Sequence, residues 1–495
     1  MRSSTWKRRL VRPGDITLAL LVGAAMSSCT VGPDHESPDV AELLEANWRQ
    51  APGSGLVEDE RTELVGWWRR FGSAELDALA TRLLQQNLSL REAAERVVAV
   101  RANVGATDAQ RSPRLDGEGS AFRAGTGDES LNFQGPPPGT DVSVYSLGVA
   151  AGWELDLWGR VARLVENARA EVAIAEEDFR GVAVTLLAEL AIAYVDATSL
   201  QHRLEIARRE LATRERTLEL TRSRLDAGTG TRVEWLAAQR ELAAARARLP
   251  ELEQARRLAE NRIALLVGER PRDGLVVAAG ELTLPEQVSR GVPADLLAHR
   301  TDVRGAERRL AAAVARIGAV EAERYPRIAL NGSLALRTSE FDELFAGRSA
   351  VSYSIGPSLT VPLFDGARIT SEVHFREARA REARIAFERT VLAAIGEVEA
   401  AATSLVKSRE RLAQTEQAAA AAAEAARLER QLYEAGSVSL MLALDAERAR
   451  LALDDASWSS RQAALVSTID LYRALGGGFE SAPPPAITDS SALER

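Results

Sequence analysis

Two stretches of strict two-residue alternation interrupt a chain whose pattern is otherwise that of long helices, and they set the terms for any fold. In the first, Tyr145, Leu147, Val149, Ala151, Trp153 and Leu155 alternate with Ser146, Gly148, Ala150, Gly152 and Glu154. In the second, Val351, Tyr353, Ile355, Pro357, Leu359, Val361 and Leu363 alternate with Ser352, Ser354, Gly356, Ser358, Thr360 and Pro362. One face of each is apolar and the other small or polar, the pattern of a strand between an apolar and a wet medium. Each follows a shorter segment of the same kind, Leu115 to Phe122 and Ile328 to Leu336. A helical protein therefore twice inserts a two-stranded hairpin pattern.

Four strands per chain cannot close a membrane barrel, because the open edges would leave N–H and C=O groups unsatisfied in lipid at several kcal/mol each. The strong segments nevertheless have the length of tilted membrane strands. Closure must then come from other copies: two give eight strands, three twelve and four sixteen, and alternation alone leaves the number open. Pro357 and Pro362 interrupt any ladder and are expected at a bulge or rim.

The rest of the chain is organised as two similar halves. Arg91, Ala93, Gly105, Pro113, Leu115 and Gly119 recur as Arg304, Ala306, Gly318, Pro326, Ile328 and Gly332, all 213 residues later. Gly148, Leu155, Gly228, Leu236, Arg240 and Gly268 recur as Gly356, Leu363, Gly436, Leu444, Arg448 and Gly476 at 208. Such recurrence at structurally special residues indicates an internal duplication. The first repeat, 73–268, reads as a helix from Ser73 to Arg111, strands near 114–123 and 142–156, and a helical hairpin turning near 226–231. Its long helix, from about Val161 to Leu225, suits a coiled coil. A linker covers 269–293. The second repeat, 294–476, has strands near 327–337 and 350–363 and a hairpin turning near 434–438. Residues 477–495 read as a flexible tail. The fold class is mainly α with a small β part.

The amino terminus reads as a targeting segment. Arg2, Lys7, Arg8, Arg9 and Arg12 precede an apolar stretch from Ile16 to Ala25 and small residues up to Cys29, a secretory signal of residues 1–28. Its removal takes away five basic residues and Asp15, leaving 57 Lys+Arg against 70 Asp+Glu, a net −13 from the full chain's −9. This charge argues against a nucleic-acid partner. Beyond the signal no run of 18 apolar residues appears, so no transmembrane helix is expected. Cys29 is the only cysteine. An unpaired thiol is a liability in an oxidising compartment, whereas acyl chains on it would anchor the chain, so a covalent lipid on Cys29 is expected and no other cofactor. The stretch resembles a lipobox, with Met26 and Ser28 in place of its usual residues, and Thr30 after the cysteine favours the outer membrane. Residues 29–72 then form a lipid-anchored arm. His35, His202, His299 and His374 are scattered without ligand spacing, and no nucleophile–base or metal constellation appears, so an enzyme is not expected.

Several motifs resemble those of the outer-membrane factor family of TolC-like and OprM-like channels, most closely its lipoprotein branch with NodT-like members. They are Cys29-Thr30-Val31-Gly32-Pro33-Asp34, Trp67-Trp68 with Phe71, Arg300-Thr301-Asp302-Val303-Arg304, Pro362-Leu363-Phe364-Asp365-Gly366, and Ala435-Gly436 with Leu444-Asp445-Ala446. The resemblance spans residues 29–478. It implies a homotrimer with a transmembrane β-barrel of twelve strands and a long α-helical barrel crossing the periplasm. Such a trimer is the exit duct of a tripartite efflux system, joined by a periplasmic adaptor to an inner-membrane pump of the RND type. The alternative within the same fold is the duct of a type I protein secretion system with an ABC-type partner; the lipobox favours efflux. A lipid-tethered periplasmic rod has no use for four alternating segments.

The resemblance also assigns residues. Gly228 and Gly436 are turn glycines at the periplasmic mouth, where an adaptor docks. Tyr433 matches a tyrosine that holds the mouth shut, although the partner arginine expected two residues past the turn glycine is here Val438. Asp445 matches the inner of two aspartate rings, the outer aligning with Leu442, and Glu234, at the first-half equivalent of Leu442, is the candidate to replace the missing gate charge. Trp67 and Trp68 read as packing anchors for the arm. Trp153 and Trp158 flank the end of the strong strand and are candidates for the membrane interface, junction packing being the other reading.

Overall fold

The computed structural model describes residues 30–38, 56–57, 64–125, 141–271, 280, 282–289, 300–346 and 350–477. The expected signal, Cys29, His299 and the tail beyond 477 lie outside the described residues, as do the loop 126–140 and much of the linker. Described elements run β1 (Leu56–Val57), α1 (Ala74–Gln86), α2 (Leu88–Asp108), β2 (Arg114–Gly125), β3 (Asp141–Leu155), α3 (Arg160–Asp226) and α4 (Arg232–Leu266). Then come β4 (Val288–Ser289), α5 (Thr301–Glu321), β5 (Arg327–Thr338), β6 (Ala350–Thr360), α6 (Arg368–Glu434) and α7 (Leu440–Ala474). The chain divides into two compact units, the first drawn from Met1–Ser37, Ala99–Ala173 and Glu307–Ile385, the second from the remainder.

The first unit is built on one antiparallel sheet of order β2-β3-β5-β6, so the two hairpins join through β3 and β5. Its register carries one apolar face across all four strands. Leu115, Val149, Leu334 and Tyr353 belong to it, with Leu147, Trp153, Leu330, Ile355 and Leu359. The opposite face holds Glu118, Ser146, Ser333, Ser354 and Ser358, where Ser333 and Ser354 share a hydrogen bond of 2.9 Å and Asn331 donates to Ser358 at 2.8 Å. β2 and β6 are the free edges.

Two strand expectations are corrected. The last strand ends at Thr360 rather than 363, leaving Pro362 outside it, and Pro357 causes no bulge: it faces Leu330 in an unbroken register. In an antiparallel ladder alternate residues donate to a given neighbour, so a proline at one of the other positions leaves the pairing with β5 intact.

In the second unit, the helix expected from Ser73 to Arg111 is two helices. Asn87 takes an extended conformation (φ −61°, ψ 128°) and ends α1. Its Oδ1 accepts from the Leu90 N–H at 2.9 Å and starts α2, while its Nδ2 donates to the Leu266 carbonyl at 2.8 Å. Trp67 packs deep in this core, stacked on Tyr472 at 5.4 Å with Phe71 edge-on at 6.0 Å. Truncating such an aromatic residue costs about 3–5 kcal/mol.

Contrary to the expectation of no such helix, a stretch within α3 is long and apolar enough to cross a bilayer by length and composition. Its Leu187, Leu190, Ala191, Tyr194 and Val195 are buried in the hydrophobic core of the second unit, so it is a core segment.

The two halves have matching lengths. α3 and α6 each hold 67 residues, roughly 100 Å at helical rise, and α4 and α7 each hold 35.

Candidate functional site

The expected mouth residues cluster where the long helices turn. Gly228 has φ 72° and its N–H donates to the Leu225 carbonyl at 3.0 Å, while Thr229 donates to Arg224 at 2.9 Å. Gly436 has φ 74°, donating to Tyr433 at 2.9 Å, with Ser437 to Leu432 at 2.8 Å. Both are Schellman ends, which need a left-handed residue at the turn. A Cβ on either glycine would meet nothing within 4 Å, so glycine is required by backbone conformation and not by crowding within the chain.

Thr231 and Ser439 cap the returning helices by accepting from the Glu234 and Leu442 N–H groups at 3.2 and 3.4 Å. Glu234 completes a capping box, its carboxylate accepting from the Thr231 N–H at 2.8 Å. That carboxylate is directed at its own helix start.

Tyr433 has a partner that sequence reasoning did not find. Arg224 donates through Nη1 to the phenol oxygen at 2.5 Å, and its guanidinium lies over the ring 4.9 Å from the centroid. The bond ties the end of α3 to the end of α6. A signal existed in the repeat: at the 208 offset Arg224 aligns with Leu432 and Leu225 with Tyr433, so the two halves carry different residues at these equivalent positions.

Asp445 is 59% exposed in its side chain and accepts from Arg448 Nη1 at 2.7 Å. Arg448 also grips Glu241 through Nε at 3.1 Å and Nη2 at 2.7 Å, and Arg240 donates to the same carboxylate at 2.9 Å. The Arg448 hydrogen bond is the main reason the Glu241 carboxyl is held below its usual range, against a smaller upward push from burial. Arg240 and Arg448 had been picked out as repeat positions, and this shared carboxylate is what they hold. Leu442 is exposed.

In the first unit, Trp158 donates from Nε1 to the Pro326 carbonyl at 2.8 Å and stacks on Tyr325 at 4.8 Å. Trp153 donates to the Arg111 carbonyl at 2.8 Å, with its ring on the apolar face of the sheet. Both therefore pack at the strand–helix junction, and Trp153 also presents a ring outward.

The arm at 30–37 is held by a residue the sequence did not single out. Arg163, buried, donates to the Val31 and Gly32 carbonyls at 3.2 and 3.1 Å and to Asp34 at 2.8 Å. His35 and Ser37 both reach Glu307, at 2.6 and 2.9 Å. Gly32 lies against Gly318, whose Cα a Cβ would approach to 2.3 Å.

The Arg300-to-Arg304 motif is structural in this chain. Arg300 binds Asp302 at 3.0 and 2.7 Å, Glu397 at 2.7 Å and the Ala474 carbonyl at 2.6 Å, and Arg304 pairs with buried Glu177 at 2.6 Å. Among the described residues no cluster of three or more His, Cys, Asp or Glu could hold a metal ion.

Known proteins share the sequence pattern and the fold of this chain. A family model described as outer membrane efflux protein matches residues 79–269 and 292–477. Outer membrane protein OprJ of Pseudomonas aeruginosa is 32% identical over 472 residues, 93% of this chain and 95% of OprJ. Nodulation protein T of Rhizobium leguminosarum bv. viciae is 30% identical over 494 residues, 96% of both chains. The solved structure of the outer-membrane channel OprN superimposes with a TM-score of 0.81 at 31% identity, covering 91% of this chain and 100% of that one.

Proposed function

The chain belongs to the outer membrane efflux protein family, and we propose that three copies close one outer-membrane barrel and one helical duct through which small solutes leave the cell. It is the outer-membrane channel of a tripartite efflux system and not an enzyme. An inner-membrane transporter of the RND type supplies the energy, and a periplasmic adaptor joins the two. Twelve strands, four from each copy, form the barrel.

The observation that carries this reading is the sheet with one apolar face and two free edges. About five N–H groups point outward along each edge, and at several kcal/mol apiece in lipid they would cost tens of kcal/mol unless other copies pair with them. The apolar face asks for lipid and the serine-rich face for water, which suits the wall of a water-filled barrel.

The remaining assignments follow from that frame. An acylated Cys29 anchors the arm that Arg163 and Glu307 hold. Trp153 and Trp158 mark the periplasmic edge of the membrane band. Gly228 and Gly436 shape the turns that an adaptor meets, Arg224 and Tyr433 latch them, and Asp445 rings the passage. Glu234, occupied in its capping box, is better read as a helix start than as a substitute for a charge at Leu442. Deleting the gene should sensitise the cell to toxic small molecules, and the wild-type gene should restore resistance. Unchanged susceptibility across antibiotics, solvents and metals would contradict the proposal.

A further inference from the structure

We infer the register of the seam between neighbouring copies from the contacts that the two halves of one chain already make; the inference rests on the shared barrel proposed above. Arg114 faces Gly152 in the first hairpin and Arg327 faces Thr360 in the second. The two ladders are related by 213 on the leading strand and 208 on the following one, the same offsets that relate the sequence motifs. Between the hairpins, β3 pairs with β5: Leu155 faces Ile328, Trp153 faces Leu330, and Ala150 faces Ser333. Carried onto β6 by 208, and back onto β2 by 213, this internal seam specifies the external one. Leu363 then faces Leu115 of the partner subunit, Val361 faces Gly117 of the partner subunit, and Ser358 faces Ser120 of the partner subunit.

Three observations support the transfer. First, the register puts Leu363, Val361 and Leu359 on the face of β2 that carries Leu115 and sets Ser358 against Ser120, so the two faces of the sheet continue across the seam. Second, it explains why β6 stops early. Trp153, Glu154 and Leu155 at the end of β3 are paired by β5 alone, since the β2 ladder begins at Gly152. Their counterparts Val361, Pro362 and Leu363 have no neighbour within one chain, and Leu363 is 93% exposed. The alternation that continues to Leu363 is thus a strand awaiting the partner's edge.

Third, the helices of the first unit show the same vacancy. Asn167 on α3 is buried and donates to the Ala312 carbonyl of α5 at 3.0 Å. Its counterpart on α6 is Phe375, 52% exposed, and the counterpart of Ala312 on α2 is Ala99, also exposed. Ala312, Ala315 and Ala319 are buried, whereas Ala99, Ala102 and Ala106 are open. The occupant that fits both the strand and the helix face is a second copy of this chain, α6 against α2 as α3 is against α5.

Cysteine pairs in the full-length chain test the register. Within one chain Ser120 is level with Ala350 on β6, three strand spacings away, and Ser358 lies eight residues further along that strand, so the two are roughly 30 Å apart, too far for a disulfide. With Ser120→Cys and Ser358→Cys combined, oxidation of outer membranes should give covalent dimer and trimer on non-reducing gels and nothing larger. Pairing Ser358→Cys with Glu118→Cys or with Phe122→Cys, one step out of register on the same face, should lose those bands. A shifted pair that crosslinks as well as the Ser120 pair, or a native trimer in which no pair crosslinks, overturns the register while leaving the shared barrel standing. A chain that runs as a monomer in mild detergent and crosslinks with no pair overturns the shared barrel itself.

Discussion

Tyr433→Phe isolates the contact between the ends of the long helices. It deletes the 2.5 Å hydrogen bond from Arg224 and leaves a ring beneath the guanidinium, whereas Arg224→Ala removes both contacts. A hydrogen bond from a charged donor contributes about 1.5–3 kcal/mol, and a partly exposed cation–π contact about 0.5–1 kcal/mol. Tyr433→Phe should therefore weaken each latch by about 2 kcal/mol and Arg224→Ala by about 3 kcal/mol. Since 1.4 kcal/mol is a factor of ten, 2 kcal/mol corresponds to roughly thirtyfold in the latched-to-unlatched ratio of one chain. Parting α3 from α6 at their turns breaks this bond, so single-channel open probability in planar bilayers should rise from wild type to Tyr433→Phe to Arg224→Ala. The double variant should match Arg224→Ala, because the arginine is common to both contacts. If correctly assembled Tyr433→Phe and Arg224→Ala channels both open as rarely as wild type, the contact does not hold the mouth and the reasoning fails.

Further outcomes can be stated more briefly. Asp445→Asn removes the exposed member of a cluster in which Arg240, Glu241, Arg448 and Asp445 balance in charge, so each chain gains one positive charge and reversal potentials should shift away from cations. Leu442→Asp should shift them the other way, and selectivity indifferent to both changes would return Asp445 to an ordinary surface carboxylate. Because Arg448 holds the Glu241 carboxyl below its ordinary value of 4.5, the stability this pair contributes is complete above that pH and is lost as pH falls through the depressed value. Thermal melts from pH 7 to pH 3 should show an acid-dependent loss that shrinks in Arg448→Met; an equal loss in both would exclude Glu241 as its source. Gly32→Ala drives a Cβ into the Gly318 backbone from a φ of +96°, so protease should cut the arm faster than in wild type, and unchanged cleavage would mean that this contact does not hold it. Mass spectrometry of the mature amino terminus should find acyl chains on Cys29, and an unmodified cysteine would remove the lipid anchor from the reading.

The sequence alone determined what depends on period and local chemistry. A two-residue alternation has few physical meanings, and 67-residue helices without a proline interruption have fewer, so both elements were legible residue by residue. Turn glycines were legible for the same reason: Gly228 and Gly436 occupy a backbone region that other residues adopt only at a cost. The break at Asn87 escaped because the residue works through a tertiary partner, the Leu266 carbonyl, as much as through its own cap. The apolar stretch of α3 is a core segment because Leu187, Leu190 and Tyr194 find other helices around them, which no hydropathy pattern states.

What only the tertiary structure decided is which charges meet. Arg224 and Tyr433 are 209 residues apart, Arg448 and Glu241 are 207 apart, and Arg163 reaches 129 residues back to Asp34. Neither partner of such a pair carries a local signature, because an arginine on a helix reads the same whether it faces solvent or a carboxylate. The edge of β6 shows the same division in reverse. The alternation extends the strand to Leu363, yet a single chain orders it only to Thr360, because a strand exists where a neighbour supplies its hydrogen bonds.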